Sequence, residues 1–268
     1  RRKIIARERS YHGVTVAAAS LTGLPVTQNH FDLPVDALGI LRTDHPHYYR
    51  GKQGGETEDE FVDRIVGNLE AMIVAEGPDT IAAFIAEPIT GASGVIVPPD
   101  GYYQKVQAVL NRYDIMFWAD EVITGFGRTG TDFGCNTMGI ESPDMMTFAK
   151  QLSSAYMPIS ASAIRRDMYD AMIEQTATAG AFGHGYTYSG HPVACAVALK
   201  VLEIYQRDDI FQNAAITGAY LQKRLAEFSD HPLVGEVRGS GLLGAIELVA
   251  NKEQGTPFLG GAVGGYAQ

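Results

Sequence analysis

Short apolar runs alternate along this chain with segments whose apolar positions recur at three- and four-residue spacing, the signature of strands alternating with helices. Residues 3–8 predict a strand, followed by the loop Ser10-Tyr11-His12-Gly13 and a helix of small side chains over 14–22. From Leu24 to about Gly55 the pattern lapses, and Pro25, Pro34 and Pro46 predict a long irregular loop. A helix opens at Glu56-Thr57-Glu58-Asp59, carries Phe61, Ile65, Leu69, Met72 and Ile73 on one stripe, and ends near Glu76-Gly77-Pro78. A buried strand over 81–86 stops at Glu87-Pro88. Residues 100–113 predict an amphipathic helix, 115–119 and 145–149 strands, and 159–164 a strand-like stretch. A long Ala-rich helix over 193–205, a helix over about 210–228 and a strand over 244–249 complete the reading. The alternation predicts an α/β fold with a mainly parallel sheet. A break at Gln206-Arg207-Asp208-Asp209 divides a large domain, 1–207, from part of a small C-terminal α/β domain, 208–268.

Composition narrows the classes. At 268 residues with 46% hydrophobic positions the chain can bury a sizeable core. A net charge of −10 argues against nucleic acid or an anionic membrane surface as partner. No apolar stretch approaches the roughly 20 residues of a spanning helix, and Arg1-Arg2-Lys3 precedes no signal-peptide core. Cys135 and Cys195 stand outside any CxxC, so reduced thiols in a cytoplasmic setting are the expectation. His45, His47 and His184 show no metal-ligand spacing, and no metal is expected. Both ends read as cut: residues 3–7 form a strand with nothing before it, and Gly260 to Tyr266 stops without a capped element.

The chemistry gathers at strand ends. Ile115 to Ala119 runs into Asp120, and Met145 to Ala149 into Lys150, placing an acid and a base at carboxyl ends, where a parallel α/β sheet builds its ligand site. A lysine with a carboxylate partner is what an aldehyde cofactor needs: the amine for a covalent link, the carboxylate to keep a ring nitrogen protonated. Lysine is ordinarily charged at neutral pH, so serving as a base requires desolvation or that link. A solvated strand cap is the plainer account of each residue alone. Tyr11 can stack on one ring face and Val122 on the other, while Gly13 allows a tight turn beside His12. Thr187, ahead of the Ala-rich helix, is a candidate phosphate ligand, with Ser189 as a simple helix cap the compatible alternative. Gly125 to Gly130 matches GxGxxG, but glycine-broken sequence follows rather than a helix, which argues against a dinucleotide site.

The run from Ala119 through Asp120, Val122 and Gly130, with Lys150, resembles the class III aminotransferases, the ω-transaminase branch of the fold-type I pyridoxal phosphate enzymes. So do Tyr11-His12-Gly13, Ala86-Glu87-Pro88-Ile89, Gly185 to Pro192 and Val237-Arg238-Gly239. The resemblance implies pyridoxal 5'-phosphate as cofactor, Lys150 as the Schiff-base lysine, Asp120 as the partner of the pyridine nitrogen, Tyr11 as the stacking ring, and Val122, His12, Gly13 and Glu87 around it. It implies that Thr187 reaches the cofactor phosphate of a neighbouring subunit, hence a homodimer or a tetramer with shared sites. Amine or ω-amino acid donors and a keto acid acceptor follow, with an aminomutase, a decarboxylating transaminase or an incomplete dimerising fragment as alternatives. Ornithine and γ-aminobutyrate aminotransferases carry a glutamate five residues after the Glu of Glu-Pro-Ile; here that place is Ala92, which leans toward pyruvate as acceptor. By the same resemblance the phosphate-cup motif falls before Arg1 and the carboxylate-binding arginine after Gln268.

Overall fold

The computed structural model describes residues 1–258, so the stretch from Gly260 to Tyr266 lies outside the described residues. Six strands form the main sheet: β1 (Lys3–Arg7), β2 (Ile40–Thr43), β3 (Ile81–Ala86), β4 (Met116–Asp120), β5 (Met145–Phe148) and β6 (Ala161–Ile164). Their order is β2-β1-β3-β4-β5-β6. The first five run parallel, and β6 closes the edge antiparallel to β5.

Successive residues of the central strands point to opposite faces. Ile5, Phe84 and Phe117 bury on one face against helices α3 (Glu58–Glu76) and α4 (Tyr102–Arg112). Ala6 and Ile85 bury on the other with Leu21 of helix α1 (Val16–Leu21). The long helix starts where the sequence says it should: Thr57 Oγ1 accepts the Glu60 N–H at 3.3 Å, and Glu60 Oε2 accepts the Thr57 N–H at 2.8 Å. It ends at Gly77, whose φ of +83° suits glycine. Phe61, Ile65, Leu69 and Ile73 are all buried, as their spacing requires.

Five elements depart from the sequence reading. The expected irregular loop contains β2, which pairs Ile4 with Ile40 and Arg7 with Thr43, and the single-turn helix α2 (Tyr48–Gly51). Four residues are too few to show a period, and Arg42 interrupts the apolar run because its guanidinium caps the carbonyls of Ser20, Leu21 and Thr22. After GxGxxG a short helix does follow, α5 (Gly134–Met138). Beyond β6 lies helix α6 (Arg166–Ala179), none of whose residues is buried, although Met168, Tyr169, Met172 and Ile173 recur at three- and four-residue spacing. Helices α7 (Pro192–Arg207) and α8 (Ile210–Ala226) match the reading, and the break at Asp208-Asp209 separates them. A second, two-stranded antiparallel sheet joins β7 (Val234–Ser240) to β8 (Leu243–Leu248). Only β8 was predicted, since β7 mixes glycines with charges.

Candidate active site

Parallel pairing sets the carboxyl ends of β1, β3, β4 and β5 along one edge of the sheet. There Tyr11, His12, Gly13, Glu87, Asp120, Val122, Ile123 and Lys150 line one cavity of about 80 Å³. Seven of these eight were named from the sequence. The remaining predicted residue, Thr187, is apart from them: it lies in the exposed loop before α7 and does not line the cavity. Ser189 does not cap α7, whose first residue is Pro192 behind an uncapped His191. Its Oγ instead accepts the Tyr186 N–H at 3.0 Å within its own turn.

Asp120 ends β4 with its carboxylate almost sealed from water. Oδ2 lies 2.7 Å from His12 Nδ1, the two side chains being 6% and 2% exposed, and Oδ1 accepts the Val122 N–H at 3.1 Å. Each oxygen keeps a free lone pair. His12 Nε2 is buried with no partner among the described residues. The pairing of His12 with Asp120 was not visible in the sequence, which places His12 only among the residues around the cofactor.

Glu87 takes the first position after β3. Its Oε1 accepts the Tyr11 N–H at 2.9 Å and its Oε2 the Gly91 N–H at 3.0 Å, tying the loops after β1 and β3 together. Burial raises its pKa; the His12 charge and the two N–H groups oppose that rise without cancelling it. Beneath it Arg7, fully buried at the end of β1, donates to the Glu87 carbonyl at 2.6 Å, Thr90 Oγ1 at 3.1 Å and Tyr103 Oη at 2.9 Å. Burial works against the Arg7 charge, but Tyr103, Tyr102 and Glu87 outweigh it and hold its pKa above the ordinary value.

Lys150 opens a single 3₁₀ turn after β5 with φ +46°, a left-handed conformation that costs an L-residue about 1–3 kcal/mol and concentrates at functional sites. The turn is pinned from two sides. Tyr205 Oη of α7 donates to the Gln151 carbonyl at 2.8 Å, and Gln151 Nε2 donates to the Ile123 carbonyl at 3.3 Å, linking the Lys150 turn to the loop after Asp120. The Lys150 side chain is exposed at the cavity mouth.

Sequence reasoning missed Glu121. Fully buried, it accepts the Gly134 and Cys135 N–H groups at 2.9 and 2.7 Å and the Thr124 hydroxyl at 2.5 Å. Its carboxylate thus occupies the donors at the start of α5 where a dinucleotide phosphate would have to sit. Burial and Glu121 both push the Cys135 thiol upward, so this cysteine is an inert part of the core.

A sequence model of the family described as Aminotransferase class-III matches residues 1–263. γ-Aminobutyrate transaminase 3, chloroplastic, of Solanum lycopersicum is 52% identical over 96% of this chain and 49% of its own length. The diaminobutyrate–2-oxoglutarate transaminase of Halomonas elongata is 49% identical over 92% of this chain and 53% of its own. Among solved structures, a transaminase with L-alanine superposes with a TM-score of 0.95 at 55% identity, covering 98% of this chain and 62% of that one. The ω-transaminase of Pseudomonas jessenii in complex with PMP also reaches 0.95, at 51% identity, covering 98% and 58%. This chain therefore spans about half the length of the curated relatives it matches, and its sheet has the fold of the type I pyridoxal phosphate transaminases. With the model running from the first residue to 263 and about half of all positions shared with these transaminases, the chain belongs to the class III aminotransferases.

Proposed function

We propose that the protein to which this chain belongs moves an amino group from an amine or ω-amino acid to a keto acid, pyruvate foremost, in two half-reactions. Class III aminotransferases depend on pyridoxal 5'-phosphate, and the cavity residues fit that group. A sealed carboxylate with free lone pairs suits a ring N–H, and the exposed Lys150 amine faces the same cavity. When bound, the cofactor supplies an electron sink for the bond broken at the substrate carbon.

The chain's residues divide the remaining work. Lys150 would hold the cofactor and, once freed, carry a proton at Nζ to and from the amine-bearing carbon. Asp120 would hold the ring N–H, with His12 fixing its carboxylate in place. Tyr11 and Val122 would pack against the two ring faces, and Gly13, at φ +126°, keeps the backbone close. Glu87 holds the Tyr11 loop at its backbone, and the sealed pair Asp120–His12 keeps water from the charged end.

Ala92 in place of a glutamate favours pyruvate, while the names of the relatives add γ-aminobutyrate and diaminobutyrate to the donors worth testing. We assign residues 1–207 to the cofactor domain and 208–268 to part of a smaller one, with the β7–β8 sheet in the second. Thr187 would serve a partner subunit's site in a homodimer or a tetramer of such pairs. Phe182, Tyr186 and Tyr188 around it, the last two 76% and 79% exposed, favour a covering partner. Two free thiols favour a cytoplasmic setting; plant relatives are named chloroplastic or mitochondrial, and fractionation decides between them. Among the described residues no helix is long and apolar enough to cross a membrane.

The convergence of Asp120 and Lys150 on one cavity supports this reading most. The full-length protein, loaded with cofactor, should convert pyruvate to alanine at the expense of an ω-amine, and Lys150→Ala should abolish the turnover. A Lys150→Ala enzyme that still turns over would refute the assignment; an isomerised donor or released carbon dioxide would point to the aminomutase or decarboxylating alternatives.

A further inference from the structure

Arg238 belongs to the Val237-Arg238-Gly239 motif yet does not line the cavity. From β7 its largely buried guanidinium forks three ways. Nε donates to the Gly94 carbonyl at 2.9 Å, and Nη1 to Glu236 Oε2 at 2.7 Å and Glu247 Oε2 at 2.6 Å. Glu247 Oε1 accepts Arg50 Nε of α2 at 2.5 Å, and His47 Nε2 lies 2.8 Å from Glu236 Oε2. His47, Glu236 and Glu247 bring ligand atoms within 4.8 Å of one another, a spacing open to a cation, but two guanidinium groups already neutralise both carboxylates. The cluster is a clamp, and through Gly94 it reaches the active-site side of the main sheet.

Gly94 closes a turn in which the Gly94 and Val95 N–H groups both donate to the Gly91 carbonyl at 3.1 Å. Its φ is +103°, which calls for glycine, and a Cβ there would press on Arg238 Nη2 at 3.0 Å. Val95 follows at φ +54°, an outlier for a β-branched residue that persists only where surrounding contacts enforce it. The other end of the turn is Gly91, whose N–H binds Glu87 Oε2, while Glu87 Oε1 holds the Tyr11 N–H. One unbroken path of hydrogen bonds and tight turn thus runs from Arg238 to the backbone of the ring-stacking tyrosine.

We propose that Arg238 is a positioning residue: by gripping the Gly91–Gly94 turn from the two-stranded sheet, it fixes Glu87 and Tyr11 at the cavity without touching cofactor or substrate. This rests on the aminotransferase reading for its consequence, though not for its geometry. Arg238→Lys keeps a positive charge for Glu236 and Glu247 but cannot reproduce the fork that also reaches Gly94. Glu236→Gln weakens the cluster's charge and leaves the Gly94 bond in place.

The test is amide hydrogen exchange on the full-length, cofactor-free protein, paired with titration by pyridoxal phosphate. In Arg238→Lys and Arg238→Gln, the Gly91 and Tyr11 amides should exchange roughly tenfold faster, as the loss of one charge-assisted hydrogen bond implies. The cofactor dissociation constant should rise in both, while Arg238→Lys keeps wild-type exchange across β7 and β8, and Glu236→Gln matches wild type at Gly91 and Tyr11. Unchanged Gly91 and Tyr11 amides in both arginine variants would overturn the proposal, as would an equal acceleration in Glu236→Gln. If Arg238→Gln does not fold, Arg238→Lys decides alone. A wild-type protein that binds no pyridoxal phosphate would count against the aminotransferase reading, while the exchange rates would still judge the role of Arg238.

Discussion

At the scale of single residues, the sealed pair His12–Asp120 and the buried Glu87 bring ionisable groups to the cavity. Asp120→Asn keeps the shape but removes the charge meant for a ring N–H, and turnover should fall about a hundredfold or more, the size seen when one preorganised electrostatic partner is lost. His12→Phe leaves the carboxylate in place with one fewer restraint, so steady-state kinetics should show a loss of only about tenfold. Glu87 makes a prediction in pH. Burial raises its pKa above the ordinary 4.5, so folding favours the protonated form. That contribution is present below 4.5 and is lost as pH rises through the raised folded value. Relative to Glu87→Gln, wild type should lose stability with rising pH, read from urea midpoints between about pH 4 and pH 8; parallel curves would mean that Glu87 ionises normally. Lys150, Asp120, Tyr11 and Glu87 were legible in the sequence because each closes or follows an apolar run. The contacts of His12 and Arg238 were not, because each depends on which distant segment the fold brings opposite: 108 positions away for His12 and Asp120, and 144 for Arg238 and Gly94.

Among elements, those with a full stripe or run declared themselves. Helix α3 had a capping box, a buried stripe and a glycine stop, and Thr57→Ala should cost about 1 kcal/mol in denaturant unfolding. Strand β2 hid because it is short and carries Arg42, and β7 because glycines and charges replace the alternation of a half-buried strand. The clamp on β7 and β8 gives this scale its own pH dependence. Burial pushes Glu247 upward, but hydrogen bonds and charges from Arg50 and Arg238 prevail and hold it below the ordinary 4.5. Its contribution is present above 4.5 and is lost as pH falls through the depressed folded value. Arg238→Gln should therefore destabilise the protein near neutrality, and the gap from wild type should narrow on acidification below 4.5, measured by thermal melts across that range.

Over the whole molecule, the strand order does what no local pattern can. It places the ends of β1, β3, β4 and β5 side by side, so residues scattered from Tyr11 to Lys150 line a single cavity. GxGxxG misleads for a more local reason: the donors at the start of α5 belong to Glu121. Thr187 stands outside that cavity in a loop with exposed aromatic rings, and the homodimer reading predicts a concentration-dependent dimer of the full-length protein by sedimentation, with activity falling as it dissociates. Lys150 as the residue that holds the cofactor is the claim on which everything else turns. Borohydride reduction of the full-length, cofactor-loaded protein followed by peptide mass mapping tests it directly. A pyridoxyl group fixed on the peptide bearing Lys150 is the predicted result; the same group on another lysine, or on none, would contradict it.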